Sequence, residues 1–167
     1  MKPLTRAGHR AAIEALAAED ADLAAIVERH GPPAFRSRPA GFPTLLYIIL
    51  EQQVSLASAK ATYDKVFALV DALTPDAYLA LSDDTLRAAG LSRQKLRYTR
   101  LVAEAIEAGD LPISRLQRKP DDEVRALLTA ITGVGHWTAD CYLMLALKRP
   151  DLWPVGDLAL VKAVQAV

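Results

Sequence analysis

The chain has 167 residues, 20 Lys and Arg against 20 Asp and Glu, and is 51% hydrophobic, so it is formally neutral and long enough to bury a core of its own; this excludes a disordered or low-complexity protein. A single cysteine, Cys141, excludes a disulfide framework, a four-cysteine zinc site and a cysteine-ligated iron–sulfur cluster within these residues. Neutrality excludes a polybasic binder acting by bulk charge, though not a nucleic-acid contact made by a local patch or by backbone amides.

The opening Met1-Lys2-Pro3-Leu4-Thr5-Arg6 has no apolar run behind it, so no secretory signal is expected. Leu45 to Leu50 is far short of the ~18 apolar residues of a membrane span. The expectation is a cytoplasmic protein without a membrane partner. Ile13, Leu16 and Ala17 mark a first amphipathic helix, and Leu23, Ile26 and Val27 a second that ends at Gly31-Pro32-Pro33. A loop from Pro32 to Pro43 carries Arg36 and Arg38. Pro43, at a first-turn position, then opens Leu45, Leu46, Ile48, Ile49 and Leu50, a helix apolar on most sides and therefore central. Leu56 to Leu73 reads as the next, with Tyr63, Val66, Phe67 and Val70 on one stripe. Thr74-Pro75-Asp76 and Ser82-Asp83-Asp84 are successive helix starts, Gly90 a stop, and Ser92 the cap of a longer helix carrying Leu96, Leu101, Val102 and Ile106 to about Gly109. Pro120-Asp121-Asp122-Glu123 starts another, with Val124, Leu127, Leu128 and Ile131 inward. No segment alternates as a strand would, so the fold class is all-α, about ten short helices in a single unit over 1–167.

The most informative stretch is Leu127 to Thr138. A helix ends at Ile131, Gly133-Val134-Gly135 makes a tight hairpin, and a new helix starts near His136. Two glycines one residue apart allow positive φ and remove side chains that would hold a phosphate off, while the next helix aims free N–H groups and its positive dipole end outward. By itself the hairpin has two readings, a phosphate cradle or a corner between packed helices.

Farther along lie a buried helix from Thr138 to Leu147, a loop from Lys148 to Pro154, and Val155-Gly156-Asp157-Leu158. Gly133-Val134-Gly135-His136-Trp137-Thr138-Ala139 together with Pro154-Val155-Gly156-Asp157 resembles the helix-hairpin-helix–Gly/Pro/Asp superfamily of DNA glycosylases, and most of all its 3-methyladenine DNA glycosylase II (AlkA-like) branch. Ile49-Leu50-Glu51-Gln52-Gln53-Val54-Ser55 looks like that branch's Gln-Gln helix end. The resemblance spans roughly Pro43 to Lys162. It implies two helical layers flanking a DNA-binding cleft, made of N-terminal helices and a loop (1–42), a central layer (43–119), the helix-hairpin-helix (120–148), and the Asp loop with its following helix (149–167).

The implied activity is base-excision repair. A monofunctional glycosylase flips an alkylated purine such as 3-methyladenine out of double-stranded DNA and hydrolyses its N-glycosidic bond. On this reading Asp157 is catalytic, its carboxylate stabilising the oxocarbenium-like sugar; capping the helix that starts at Leu158 is its alternative or second role. Trp137, Tyr47 and Cys141 would line the base pocket, Trp137 stacking on a cationic base; core packing suits all three as well. Thr132, Gly133, Val134, Gly135, His136 and Thr138 would form the DNA-binding hairpin, Gln53 the wedge, with Gln52 and Ser55 near the minor groove. Arg93 and Lys95, in a run with Arg97 and Arg100, would meet phosphates or form a solvated face. Superfamily members that also cut the strand carry lysine where Trp137 stands, so no lyase activity is expected. No cofactor or iron–sulfur cluster is expected; the resemblance implies a monovalent cation at the hairpin's backbone carbonyls. Family members are monomers that continue past the helix after the Asp, so this chain is expected to lack C-terminal helices and to dimerise, aggregate or act weakly. The alternatives are a non-catalytic helix-hairpin-helix DNA-binding module and a glycosylase for deaminated or mismatched bases.

Overall fold

Pro43 in the first turn and an unbroken apolar run make Phe42–Glu51 (α3) the helix around which the molecule is built; eight of its ten residues are buried. The structure, a computed structural model, describes residues 2–165. Before α3 come α1 (Arg6–Glu19) and α2 (Ala21–His30). After it come α4 (Leu56–Phe67), α5 (Pro75–Ala80), α6 (Asp83–Ala88), α7 (Arg93–Glu107), a 3-10 helix (Ile113–Arg118), α8 (Asp121–Thr129), α9 (His136–Leu145) and α10 (Leu158–Gln165). There is no strand among the described residues, as the lack of alternation predicts.

Most helix starts follow the sequence signals. Ser55, Thr74, Ser82 and Ser92 each cap a helix, accepting from the N–H three residues on. α8 differs: Pro120 offers no side-chain cap, and Asp121, Asp122 and Glu123 complement the helix dipole instead. α4, α7 and α9 pack against α3, and α5 and α6 pack against α7. The core joins Leu45, Leu46, Ile48 and Ile49 to Val66, Tyr78, Leu86, Val102, Leu128, Ala139 and Tyr142.

Three element boundaries differ from the sequence reading. α1 and α2 pack on each other but bury no residue fully, and Leu16 is 56% exposed, so their apolar spacing marks a helical hairpin rather than core. α4 stops at Phe67 instead of running to Leu73, because the chain turns through residues 68–73; Phe67 is half-exposed and stacks on Tyr63. The 3-10 helix at Ile113–Arg118 has no capping side chain and so no sequence signal, although its Leu116 is fully buried.

Two ion pairs, invisible to periodicity, fix the helix-hairpin-helix. Arg125 of α8 donates from Nε to buried Asp140 of α9 at 2.6 Å, which ties the two arms together. Arg149, also buried, pairs with Asp121 at 3.1 Å and donates to the Gln117 and Lys119 carbonyls, anchoring the loop after α9 to the start of α8. Each buried charge faces an opposite one, which offsets part of the cost of taking it out of water.

Candidate DNA-binding and catalytic cleft

The hairpin closes on a bond from Val134 N–H to the Ile131 carbonyl at 3.0 Å, with Val134 turned into the core. Gly133 sits at φ +93°, and a Cβ there would lie 2.0 Å from the Tyr98 ring; glycine is needed on both counts. Gly135 does not share this need. Its φ is −88°, in extended backbone, and a Cβ would meet open space, which corrects the expectation of positive φ at both glycines. Gly135 is the N-cap of α9 and no side chain caps that end, so the first-turn N–H groups and the positive dipole face outward, as an anion site requires.

Opposite the hairpin stands the end of α3. Gln52 donates from Nε2 to the Gly133 carbonyl and to Thr138 Oγ1, both at 3.0 Å. It is therefore a strut between α3 and the hairpin that also lines the cleft. Gln53 is exposed and held at φ +56°, a conformation that costs energy outside glycine and collects at functional positions. Ser55 spends its oxygen capping α4 but remains exposed beside Gln53.

Asp157 has two sets of partners. Oδ1 accepts from Ala159 and Leu160 N–H, which caps α10, and Oδ2 accepts from Trp137 Nε1 at 2.9 Å. The indole bond and then the backbone donors hold the carboxyl below its ordinary range, so it is ionised at neutral pH. Trp137, drawn from the sequence as a stacking surface, is thus first a positioning residue for Asp157. These groups share one cleft of about 1110 Å³, lined by Gln52, Gln53, Ser55, Thr132 to Gly135, Trp137, Thr138 and Asp157, and also by Glu51, Gln94 and Tyr98. Glu51 belongs to the Gln-Gln stretch but had no role assigned there, and Gln94 and Tyr98 belong to no motif; what betrays all three is their place on α3 and α7 facing the hairpin.

The remaining candidates lie elsewhere. Tyr47 is buried under the Arg38 guanidinium, 3.4 Å from its ring centroid, and edge-on to Tyr63; it is not among the cleft-lining residues. Cys141 is buried, its thiol pushed up to about 12 chiefly by desolvation and then by the charges of Asp157 and Glu51, which suits packing rather than chemistry. His136 is exposed at the first position of α9. Lys95 is half-buried: its ammonium donates to the Leu50 carbonyl at the end of α3, and burial lowers its pKa. Arg100 of the same run is bound to Asp83 and to the Leu79 and Leu81 carbonyls, which leaves Arg93 and Arg97 as the exposed members.

Among the described residues no three His, Cys, Asp or Glu side chains converge as a metal site. The hairpin carbonyls suit a monovalent cation in donor type: those of Ile131 and Gly133 each accept one bond, from Val134 N–H and Gln52, and a carbonyl oxygen has a second lone pair.

The family model for HhH-GPD superfamily base excision DNA repair proteins matches residues 46–167. A DNA-3-methyladenine glycosylase 1 of Schizosaccharomyces pombe is 25% identical over 142 residues, covering 83% of this chain and 62% of the relative. A crystal structure of a DNA-3-methyladenine glycosidase from Bacillus halodurans is 35% identical with a TM-score of 0.75, over 90% of this chain and 70% of that one. An S. pombe 3-methyladenine DNA glycosylase in complex with abasic DNA shares the fold at 24% identity, with a TM-score of 0.85 over 92% of this chain and 78% of that one. The chain spans 53% to 62% of the length of the curated relatives it first matches.

Proposed function

The chain belongs to the HhH-GPD superfamily of base excision DNA repair proteins, and from that membership we propose a monofunctional, AlkA-like glycosylase that releases alkylated purines such as 3-methyladenine from double-stranded DNA. The observation that carries the reading is the ionised Asp157 carboxylate, held by Trp137 in a cleft between the hairpin and the exposed, strained Gln53.

Each part then has a task. The uncapped start of α9 takes a phosphate through backbone amides. Gln53 fills the gap left by the extruded base, whose unstacking costs a few kcal/mol and less when the base is damaged. As the C1′–N bond breaks, its electron pair leaves with the base, and a cationic alkylated purine departs neutral without needing a general acid. Positive charge moves to the sugar, where Asp157 stabilises it and orients the water that adds at C1′. The water's proton passes to Asp157 or to solvent. Where a Schiff base would need an amine, Trp137 has none, so the product is an intact abasic site. A monovalent cation held by the Ile131 and Gly133 carbonyls would add positive charge beside that phosphate. Its setting is the cytoplasm, at the nucleoid. Exposed Trp153, Val155, Leu158, Val161 and Val164 support self-association of this chain, read by sedimentation velocity as a concentration-dependent dimer.

The test is methylated duplex DNA incubated with the protein and then heated in alkali. Breaks at alkylated purines are expected, at least 100-fold fewer with Asp157→Asn, since such electrostatic groups supply ~10²–10³ in rate. Borohydride trapping is expected to yield no protein–DNA adduct. A second reading, a non-catalytic DNA-binding module, is favoured by the cap that Asp157 gives α10; binding without breaks would establish it.

A further inference from the structure

The residues lining the cleft include two acids, Asp157 and Glu51, and no lysine, arginine or histidine. Asp157 is accounted for by its cap bonds, its indole partner and its place beside the sugar. Glu51 is not. It is the last residue of α3, where the helix dipole is negative and disfavours a carboxylate, and burial raises its pKa above the ordinary glutamate value. Arg38 and Arg36, from the loop before α3, and the Tyr47 hydroxyl, one turn back on α3, pull the other way but do not prevail. The Arg38 guanidinium lies flat on the Tyr47 ring. From α9, the buried Cys141 thiol feels the charges of both Asp157 and Glu51, so both acids lie near it. At this half-buried, dipole-opposed helix end burial outweighs the pull of those partners, and a cation arriving in the cleft would add another partner for the carboxylate.

We propose that Glu51 selects the charge of the flipped base, its carboxylate favouring a cationic alkylated purine over a neutral or deaminated one. This rests on reading the cleft as a glycosylase site. The two acids divide the work in time. Glu51 attracts the base while it is positive, before the bond breaks; Asp157 attracts the sugar as it becomes positive, during the break. Glu51 therefore acts on binding and Asp157 on the chemical step, because only interactions strengthened in the transition state raise kcat. The preference should also weaken as pH falls through the raised Glu51 pKa, where the acid becomes neutral while Asp157 stays ionised.

The deciding measurement compares two duplexes that differ by one base, a 2′-fluorinated 7-methylguanosine that resists hydrolysis and an ordinary guanosine. The wild-type chain should bind the cationic duplex more tightly. Glu51→Gln should lose about tenfold of that preference, the scale of one charge pair near a protein surface, with affinity for the guanosine duplex and the melting temperature preserved. Asp157→Asn should keep most of the preference. On unfluorinated methylated DNA, Glu51→Gln should raise KM without lowering kcat. A wild type that binds both duplexes equally, a preference that survives Glu51→Gln, or a Glu51→Gln protein that melts markedly lower would each overturn the proposal. Base release from methylated DNA is scored separately: its absence would sink the glycosylase reading while the binding comparison still decides the role of Glu51.

Discussion

Asp157 shows how one side chain can start a helix and be fixed in the cleft through different oxygens. Oδ1 caps α10 and Oδ2 receives the Trp137 indole N–H. The cap was legible in the sequence, as an Asp after Gly156 at a helix start; the indole bond was not, because residues twenty apart meet only once α9 and the Asp loop are folded. The bond makes a prediction about pH. Asp157 is held below the ordinary carboxylate range, with the indole as the largest cause, so its contribution to stability is present above the unfolded pKa and is lost as pH falls through the depressed folded pKa. Trp137→Phe keeps an aromatic ring but removes the donor. The Asp157 pKa should then rise toward its ordinary value, and the acid limb of base release should move to higher pH. Excision at neutral pH should fall roughly fivefold, less than a fully buried hydrogen bond to a charge would give because Asp157 is partly exposed. Carboxyl NMR titration alongside a pH–rate profile checks both; an unmoved Asp157 pKa would show that the indole does not position it.

The hairpin is the element where pattern and geometry agree most and differ most usefully. Its place and the helix start that follows it can be read from Gly-Val-Gly between two apolar periodicities; the burial of Val134, expected as part of a DNA-binding hairpin, cannot. Nor can the unequal roles of the glycines, because they depend on Tyr98, which reaches the hairpin from α7. The same holds for Gln52, whose amide nitrogen bonds Gly133 and Thr138, and for Lys95, whose ammonium bonds the end of α3. Sequence shows which residues carry polar groups; only packing shows which of those groups are already used. Two substitutions separate fold from function here. Gly133→Ala places a Cβ into the Tyr98 ring at positive φ and should destabilise by about 2 kcal/mol or more, with a lower melting temperature and loss of DNA binding together. Gly135→Ala meets no atom, so it should melt within about 1 °C of the wild type and weaken DNA binding several-fold, since the added methyl stands where a phosphate approaches the N–H groups of α9. Fluorescence anisotropy and thermal melting on the two variants check this, and undiminished affinity in Gly135→Ala would remove the α9 start from the phosphate site.

At the scale of the whole molecule, neutrality constrains how DNA would be held on the proposed function. Of the run Arg93, Lys95, Arg97 and Arg100, two members are tied to protein acceptors, and the cleft lining adds acid rather than base. On the proposed function, binding would then rest on backbone amides, a helix dipole and few side-chain cations, with Arg93 and Arg97 exposed on α7 outside the cleft lining. Only cationic side chains displace condensed counterions in proportion to their number, and each contact adds about −0.9 to the slope of log affinity against log salt. The expected slope is therefore shallow, roughly −2 to −4, where a polybasic binder with 6–10 contacts gives about −5 to −9. Arg93→Ala with Arg97→Ala should flatten it by about 2 while leaving the alkylation preference of bound DNA in place, because phosphate contacts position and do not select. A steep slope in the wild type, or an unchanged one in the double variant, would mean that basic residues outside the cleft and α7 carry the binding, and would move the DNA track to another face of the molecule.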